Sequence, residues 1–217
     1  MLASPAVTGL RSVVTRSAGA VRTAARRAWL PEAASAAEHW QRIVLNDAVR
    51  RHITSLDPPT RTAAEISGDF QAQHGWKTFT SLNYPEFDLC APLEVGERYD
   101  VVICEQVLEH VADPVRAAEN LRGLCVAGGH VIVSTPFLVR VHELPLYGMA
   151  DYWRFTPRGL RTLLERAGLV VDQVGSRGNR NCIAGNLDHW PAHRRRHSLR
   201  NEPDLPVQVW AFARNAP

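Results

Sequence analysis

His142, Glu143 and Asp151 stand close together in the chain and carry groups able to move a proton. An unperturbed imidazole titrates near neutrality, so His142 is the first choice to take a proton from a hydroxyl, with Asp151 as its acidic companion. Tyr147, Trp153 and Arg154 flank them and would shape a pocket. His189, His193 and His197 recur at the four-residue interval of a helical metal site, with Cys182 upstream. Pro191 would break that helix and Arg194, Arg195 and Arg196 would repel a cation. The reading is a solvated basic loop, and no metal is expected in this chain.

Other polar residues read as structural. Asp113 precedes Pro114 and an apolar periodic run, so it caps a helix. Asp100 enters an apolar run and is expected to bond backbone. His110 is expected to anchor a helix or loop, and Glu109 to partner an arginine.

The elements that must position these groups follow from composition and pattern. The chain has 217 residues, of which 45% are hydrophobic, and a net charge of +3. That suits one α/β domain with a sizeable core and excludes a wholly disordered chain. No apolar run nears the roughly 20 residues that span a bilayer. The nearly balanced charge gives no sign of nucleic acid as a partner. Four cysteines lie far apart with no C-x-x-C spacing, which fits a reduced, cytoplasmic setting.

Met1 to about Leu30 is rich in Ala, Arg, Ser and Thr and holds no acid. It reads as a basic extension resembling a transit peptide or a surface-lying helix, with weak membrane-surface contact as one use. Residues 31–217 form the expected single domain. Residues 31–57 give an N-terminal helix with Ala37, Trp40, Ile43 and Val44 on one face, stopped by Asp57-Pro58-Pro59.

From Thr60 onward strands and helices alternate. Strands are expected at Thr62–Ile66, Lys77–Leu82, Tyr99–Cys104, Gly129–Thr135, Leu169–Val174 and Pro206–Ala213. One helix starts at Asp113-Pro114 and is expected to close at Gly128-Gly129; another runs from Thr156-Pro157 to Gly168. Alternation at this spacing argues for a largely parallel, Rossmann-like sheet with helices on both faces. Ligands then bind beyond the carboxyl ends of the strands.

The stretch from Tyr99 to Pro114, with Glu105-Gln106-Val107-Leu108-Glu109-His110 at its centre, resembles the signature of class I S-adenosylmethionine-dependent methyltransferases of the small-molecule type. Gly128 to Pro136 and Asp151 to Gly168 resemble the segments that follow it there, in the same order. The resemblance implies a seven-stranded sheet with the last strand antiparallel, and S-adenosyl-L-methionine as cofactor. By position, Glu65, Ser67 and Gly68 correspond to the loop that approaches the cofactor's amino-acid part, and Asp88 to the acid that bonds the adenine amino group. Glu105 and Gln106 would line the pocket beside the methyl group. Two departures stand out. The first loop has one glycine where the family carries several, and the ribose-binding acid after the second strand is missing, leaving Asn83 or Glu86 in its place.

The acceptor implied is a small molecule or a glycan, including an oligosaccharide of mycofactocin type, with a quinone or phenol as the alternative. A methyltransferase-like binding module without turnover is the second function expected from the shortened loop. Nicotinamide-dependent redox chemistry is discounted for want of G-x-G-x-x-G.

Overall fold

Alternating side chains explain how one sheet can be covered twice. The computed structural model describes residues 42–94, 96–143, 148–187 and 200–217, which fall within the unit His39–Pro217. Its strands are β1 (Thr62–Ile66), β2 (Thr78–Leu82), β3 (Tyr99–Glu105), β4 (Cys125–Pro136), β5 (Leu169–Arg177) and β6 (Gln208–Asn215). Helices are α1 (Ile43–Ser55), α2 (Pro114–Leu124), α3 (Pro157–Arg166) and α4 (Arg180–Leu187).

Successive strand residues point to opposite faces. Ala63, Val101, Ile103, Ile132 and Phe212 turn to one side and pack against Leu45, Val49 and Ile53 of α1. Ala64, Val102, Cys104, Val131 and Val133 turn to the other and pack against Ala118 and Leu121 of α2 and Leu160 and Leu164 of α3. Two apolar layers thus sandwich the sheet, and its strand tips are left to the loops.

The sheet order is β2-β1-β3-β4-β6-β5. β2, β1, β3 and β4 run parallel, and β6 lies antiparallel to both β4 and β5. The last strand is therefore antiparallel, as expected. Six strands are present among the described residues, where the resemblance implies seven. The difference lies between β2 and β3: the described residues of 83–98 form no strand, and β2 is the sheet edge. This stretch is instead pinned by a side chain. Buried Asn120 of α2 donates to the carbonyls of Leu89 (2.8 Å) and Ala91 (2.7 Å).

Gly128 and Gly129 do not close a helix. α2 ends at Leu124, Cys125 is extended and pairs with Tyr99, and both glycines lie within β4. A side chain at Gly129 would meet Cys125 Sγ at 2.7 Å and the Asp100 carbonyl at 2.8 Å, so close strand approach demands the glycine. Asp113 caps α2 through Val115 N–H and Arg116 N–H. Asp100 receives the N–H and hydroxyl of Thr62, each at 2.9 Å, and fixes the start of β1 against β3. No described helix is long and apolar enough to cross a membrane. Residues 1–41, Tyr147, His189, His193 and His197 lie outside the described residues, so the expectations placed on them stay there.

Candidate active site

β1 is flanked by β2 on one side and β3 on the other, so the connections leaving β1 and β3 part at their carboxyl ends. A crevice opens wherever strand order reverses in this way. The two residues leaving these strands adopt the same unusual backbone. Ser67 has φ 54° and Gln106 φ 56°, both left-handed. Each donates its N–H across the sheet, Ser67 to Leu82 O and Gln106 to Ser134 O, both at 2.8 Å. A non-glycine residue in this region costs about 1–2 kcal/mol, so the paired turn is held by its surroundings.

A cleft of about 210 Å³ lies there. Ile66 ends β1 and Ser67 follows it in the wall; Tyr84, Phe87, Asp88 and Leu89 follow β2; Val107, His110, Val111 and Ala112 follow β3. Gly148, Met149, Ala150 and Tyr152 close the remaining side. Two hydrogen-bonded seams hold the post-β3 loop to this last segment. His110 Nδ1 faces Ala150 O at 2.7 Å, and Tyr152 N–H donates to Glu109 O at 2.7 Å. The expectation that His110 anchors a loop agrees with this placement, although the same ring also lines the cleft.

Ser67 and Asp88 are the cofactor candidates found in the cleft wall. Asp88 is exposed there and accepts the Cys90 N–H at 2.8 Å. Glu65, Gly68, Asn83, Glu105 and Gln106 lie outside the lining. Asn83 is exposed beside Ser81, 3.2 Å from its hydroxyl. Gln106 donates from its amide to Ser134 Oγ at 3.1 Å. Gly68 lies against Glu65, whose Oε1 would be 2.9 Å from any Cβ placed there.

No local pattern announces Gln71. It sits in a 3-10 turn, Phe70–His74, and is buried between the two acids of the strand tips. Its N–H donates to Glu65 Oε2 at 2.8 Å and its side-chain amide to Glu105 Oε2 at 2.6 Å. Burial pushes Glu65 up to about 7 and raises Glu105 as well; Gln71 opposes both shifts by favouring the charged forms.

Next to the 148–152 wall the structure brings His142 and Asp151 together. Asp151 Oδ2 accepts the His142 N–H at 2.7 Å and lies 3.2 Å from His142 Nδ1. Arg154 clamps both Asp151 oxygens. Burial alone would raise Asp151, but hydrogen bonds from Arg154 and His142 outweigh it and bring the carboxyl down to about 2. The His142 ring stands 5.2 Å from that of His110, edge to face. Behind them Glu109 is wholly buried, neither carboxylate oxygen has a hydrogen-bond partner, His110 Nε2 stands 3.9 Å from Oε1, and burial pushes the carboxyl up to about 8. His110 lines the cleft, while His142 and Asp151 lie outside its lining and reach it through the His110 ring; an imidazole pair of which one is braced by an ionised carboxylate can take a proton from a hydroxyl.

A family model described as a methyltransferase domain matches residues 24–174. A ubiquinone biosynthesis O-methyltransferase of Ruegeria sp. (strain TM1040) is 31% identical over 144 residues, covering 55% of this chain and 57% of its own. One of the same name from Coxiella burnetii is 28% identical over 174 residues, covering 76% of this chain and 68% of its own. The chain thus spans little more than half the length of the first of these relatives. In fold it resembles a Burkholderia thailandensis 1,6-didemethyltoxoflavin-N1-methyltransferase solved with S-adenosylhomocysteine: TM-score 0.52, 14% identity, covering 100% of this chain and 94% of that one.

Proposed function

The chain belongs to the methyltransferase domain family, and on that premise we propose that it moves a methyl group from S-adenosylmethionine to an oxygen of a small hydroxylated aromatic acceptor. The observation that carries the reading is the cleft at the strand-order reversal, with Ser67 and Asp88 on one wall and His110 on the other. An acceptor bridging those walls would lie between a nucleoside and an imidazole.

The residues present fit the nucleoside half of the cofactor. Phe87, Leu89, Val107 and Val111 give the apolar walls that a purine needs, and exposed Asp88 offers an acceptor for its amino group. The left-handed turn at Ser67 brings backbone to the cleft. Glu65, Gly68, Glu105 and Gln106 stand at the tips of β1 and β3, where the cofactor's amino-acid end would approach, with Asn83 toward the ribose. Gln71 holds the two acids apart from the cleft, so the Phe70–His74 turn is the cover this end would meet.

When bound, S-adenosylmethionine supplies a methyl group already activated on a sulfonium. The chain then has three tasks: aligning the acceptor oxygen, keeping water away and receiving the acceptor's proton. We assign the last to the imidazole pair, with His142 oriented by Asp151 and Asp151 by Arg154. A phenol is the favoured acceptor because the relatives above carry the name of a ubiquinone biosynthesis O-methyltransferase. A saccharide acceptor is the competing outcome.

Calorimetry with S-adenosylhomocysteine tests the cofactor, with saturable binding at micromolar to low millimolar ligand as the expected result. Methyl transfer is then followed with a panel of dihydroxybenzoates and hydroxylated sugars. No heat at millimolar ligand would favour a binding module without turnover, and methylation of sugars alone would overturn the phenol.

A further inference from the structure

We propose that Glu109, His110 and His142 form a site for one divalent transition-metal ion of the zinc class, joined to the cleft through His110. One nitrogen from each ring and one Glu109 oxygen all lie within 4.8 Å of one another. His110 Nε2 is 3.9 Å from Glu109 Oε1. Ligands about 2.0–2.2 Å from a tetrahedral zinc stand roughly 3.4 Å apart, so the three side chains must close by up to about 1.4 Å to grip the ion.

Glu109 supplies the independent reason. Its side chain is 0% exposed and both oxygens lack a hydrogen-bond partner. A buried carboxylate without a partner is costly and calls for a proton or a cation. Arg42 and Arg154 are near enough to act on it electrostatically, but neither bonds to its oxygens, and Arg154 is engaged by Asp151.

Both rings are oriented as metal-bound imidazoles are, with one nitrogen fixed on an acceptor behind them. His110 turns Nδ1 to Ala150 O at 2.7 Å. His142 turns Nδ1 to Asp151 Oδ2 at 3.2 Å and Arg140 O at 3.3 Å. Each Nε2 is left to face a ligand. Two imidazoles and one carboxylate suit zinc, cobalt, manganese or iron better than calcium or magnesium, and three protein ligands leave a position open. With the ion in place both rings would serve as its ligands in place of receiving a proton; the ion would lower the pKa of an acceptor oxygen entering the open position, and solvent would take the proton. This use in catalysis rests on the function proposed above, whereas binding of the ion does not.

The test uses the full chain, stripped with chelator and given cobalt(II) or zinc(II) with no cofactor or acceptor present. Expected are one cobalt per chain, visible cobalt absorption, and a rise in Tm with zinc. Glu109→Gln and His142→Ala should each weaken binding at least tenfold, while thermal unfolding without metal shows them folded. His142 is only partly buried, so its variant keeps the test open should Glu109→Gln fail to fold. His193→Ala should bind as the parent does. No cobalt absorption at tenfold excess, unchanged affinity in both site variants, or loss of binding in His193→Ala would overturn the proposal. Because no methyl transfer is read, failure here and failure of the methyltransferase reading are distinguishable.

Discussion

The side-chain amide of Gln71 donates to the carboxylate of Glu105 at 2.6 Å, closing a contact between the turn after β1 and the tip of β3. The same residue's N–H satisfies Glu65, so one glutamine serves the acids of two adjacent strands.

Gln71→Ala should therefore destabilise the fold by about 1–3 kcal/mol, the cost of leaving a buried acceptor unpaired. Gln71 favours the ionised form of Glu105, so the loss should be larger at pH 8 than at pH 5. Urea unfolding at the two pH values measures it.

Asp88→Ala should weaken S-adenosylhomocysteine binding by about 1–3 kcal/mol if the exposed carboxylate receives the adenine amino group. The fold should persist, because Asn120 holds the Leu89 and Ala91 carbonyls independently. Calorimetry gives the affinity, and unchanged binding would place adenine elsewhere in the cleft.

Asp151→Asn should slow methyl transfer by about 10²-fold, as expected when a proton-accepting group loses its brace. Burial already lowers the His142 pKa, and the Asp151 charge opposes that shift. Removing the charge lowers His142 further, so the acid limb of the kcat/KM profile should move to lower pH. A limb that stays in place would separate His142 from proton transfer.

Acid should loosen α1 from the sheet. His52 stacks on Phe212 with ring centroids 4.0 Å apart and meets His130 edge-on at 5.9 Å. Burial, helped by the nearby His130, brings its pKa down from 6.5 to about 4. Below pH 6.5 the unfolded chain binds a proton that the folded chain refuses until about pH 4, so stability is full above that window and falls on acidification through it. His52→Leu should flatten this slope; thermal unfolding from pH 7 to pH 4 would show it.

Much of the frame was legible because local rules decide it. Asp113-Pro114 starts a helix wherever it sits, since the carboxylate accepts free N–H groups and proline fits the first turn. The continuous apolar runs at Tyr99–Glu105 and within Cys125–Pro136 had to be strands covered on both faces. Gly128-Gly129 misled for a physical reason: glycine serves a helix end or a close strand approach equally well, and only Asp100 O and Cys125 Sγ crowding Gly129 decide between them.

Read alone, the amino-acid order settles the alternation of elements, the faces they bury, and the family that the segment from Tyr99 to Gly168 resembles. Those are set by periodicity and capping, which act over a few residues. Only the meeting of distant segments set Gln71 between Glu65 and Glu105, Asp151 against His142, and buried Glu109, without a hydrogen bond, beside two imidazoles. Each depends on loops from different strands meeting beyond the sheet, and side-chain contacts across such loops follow from packing, with no local pattern to announce them.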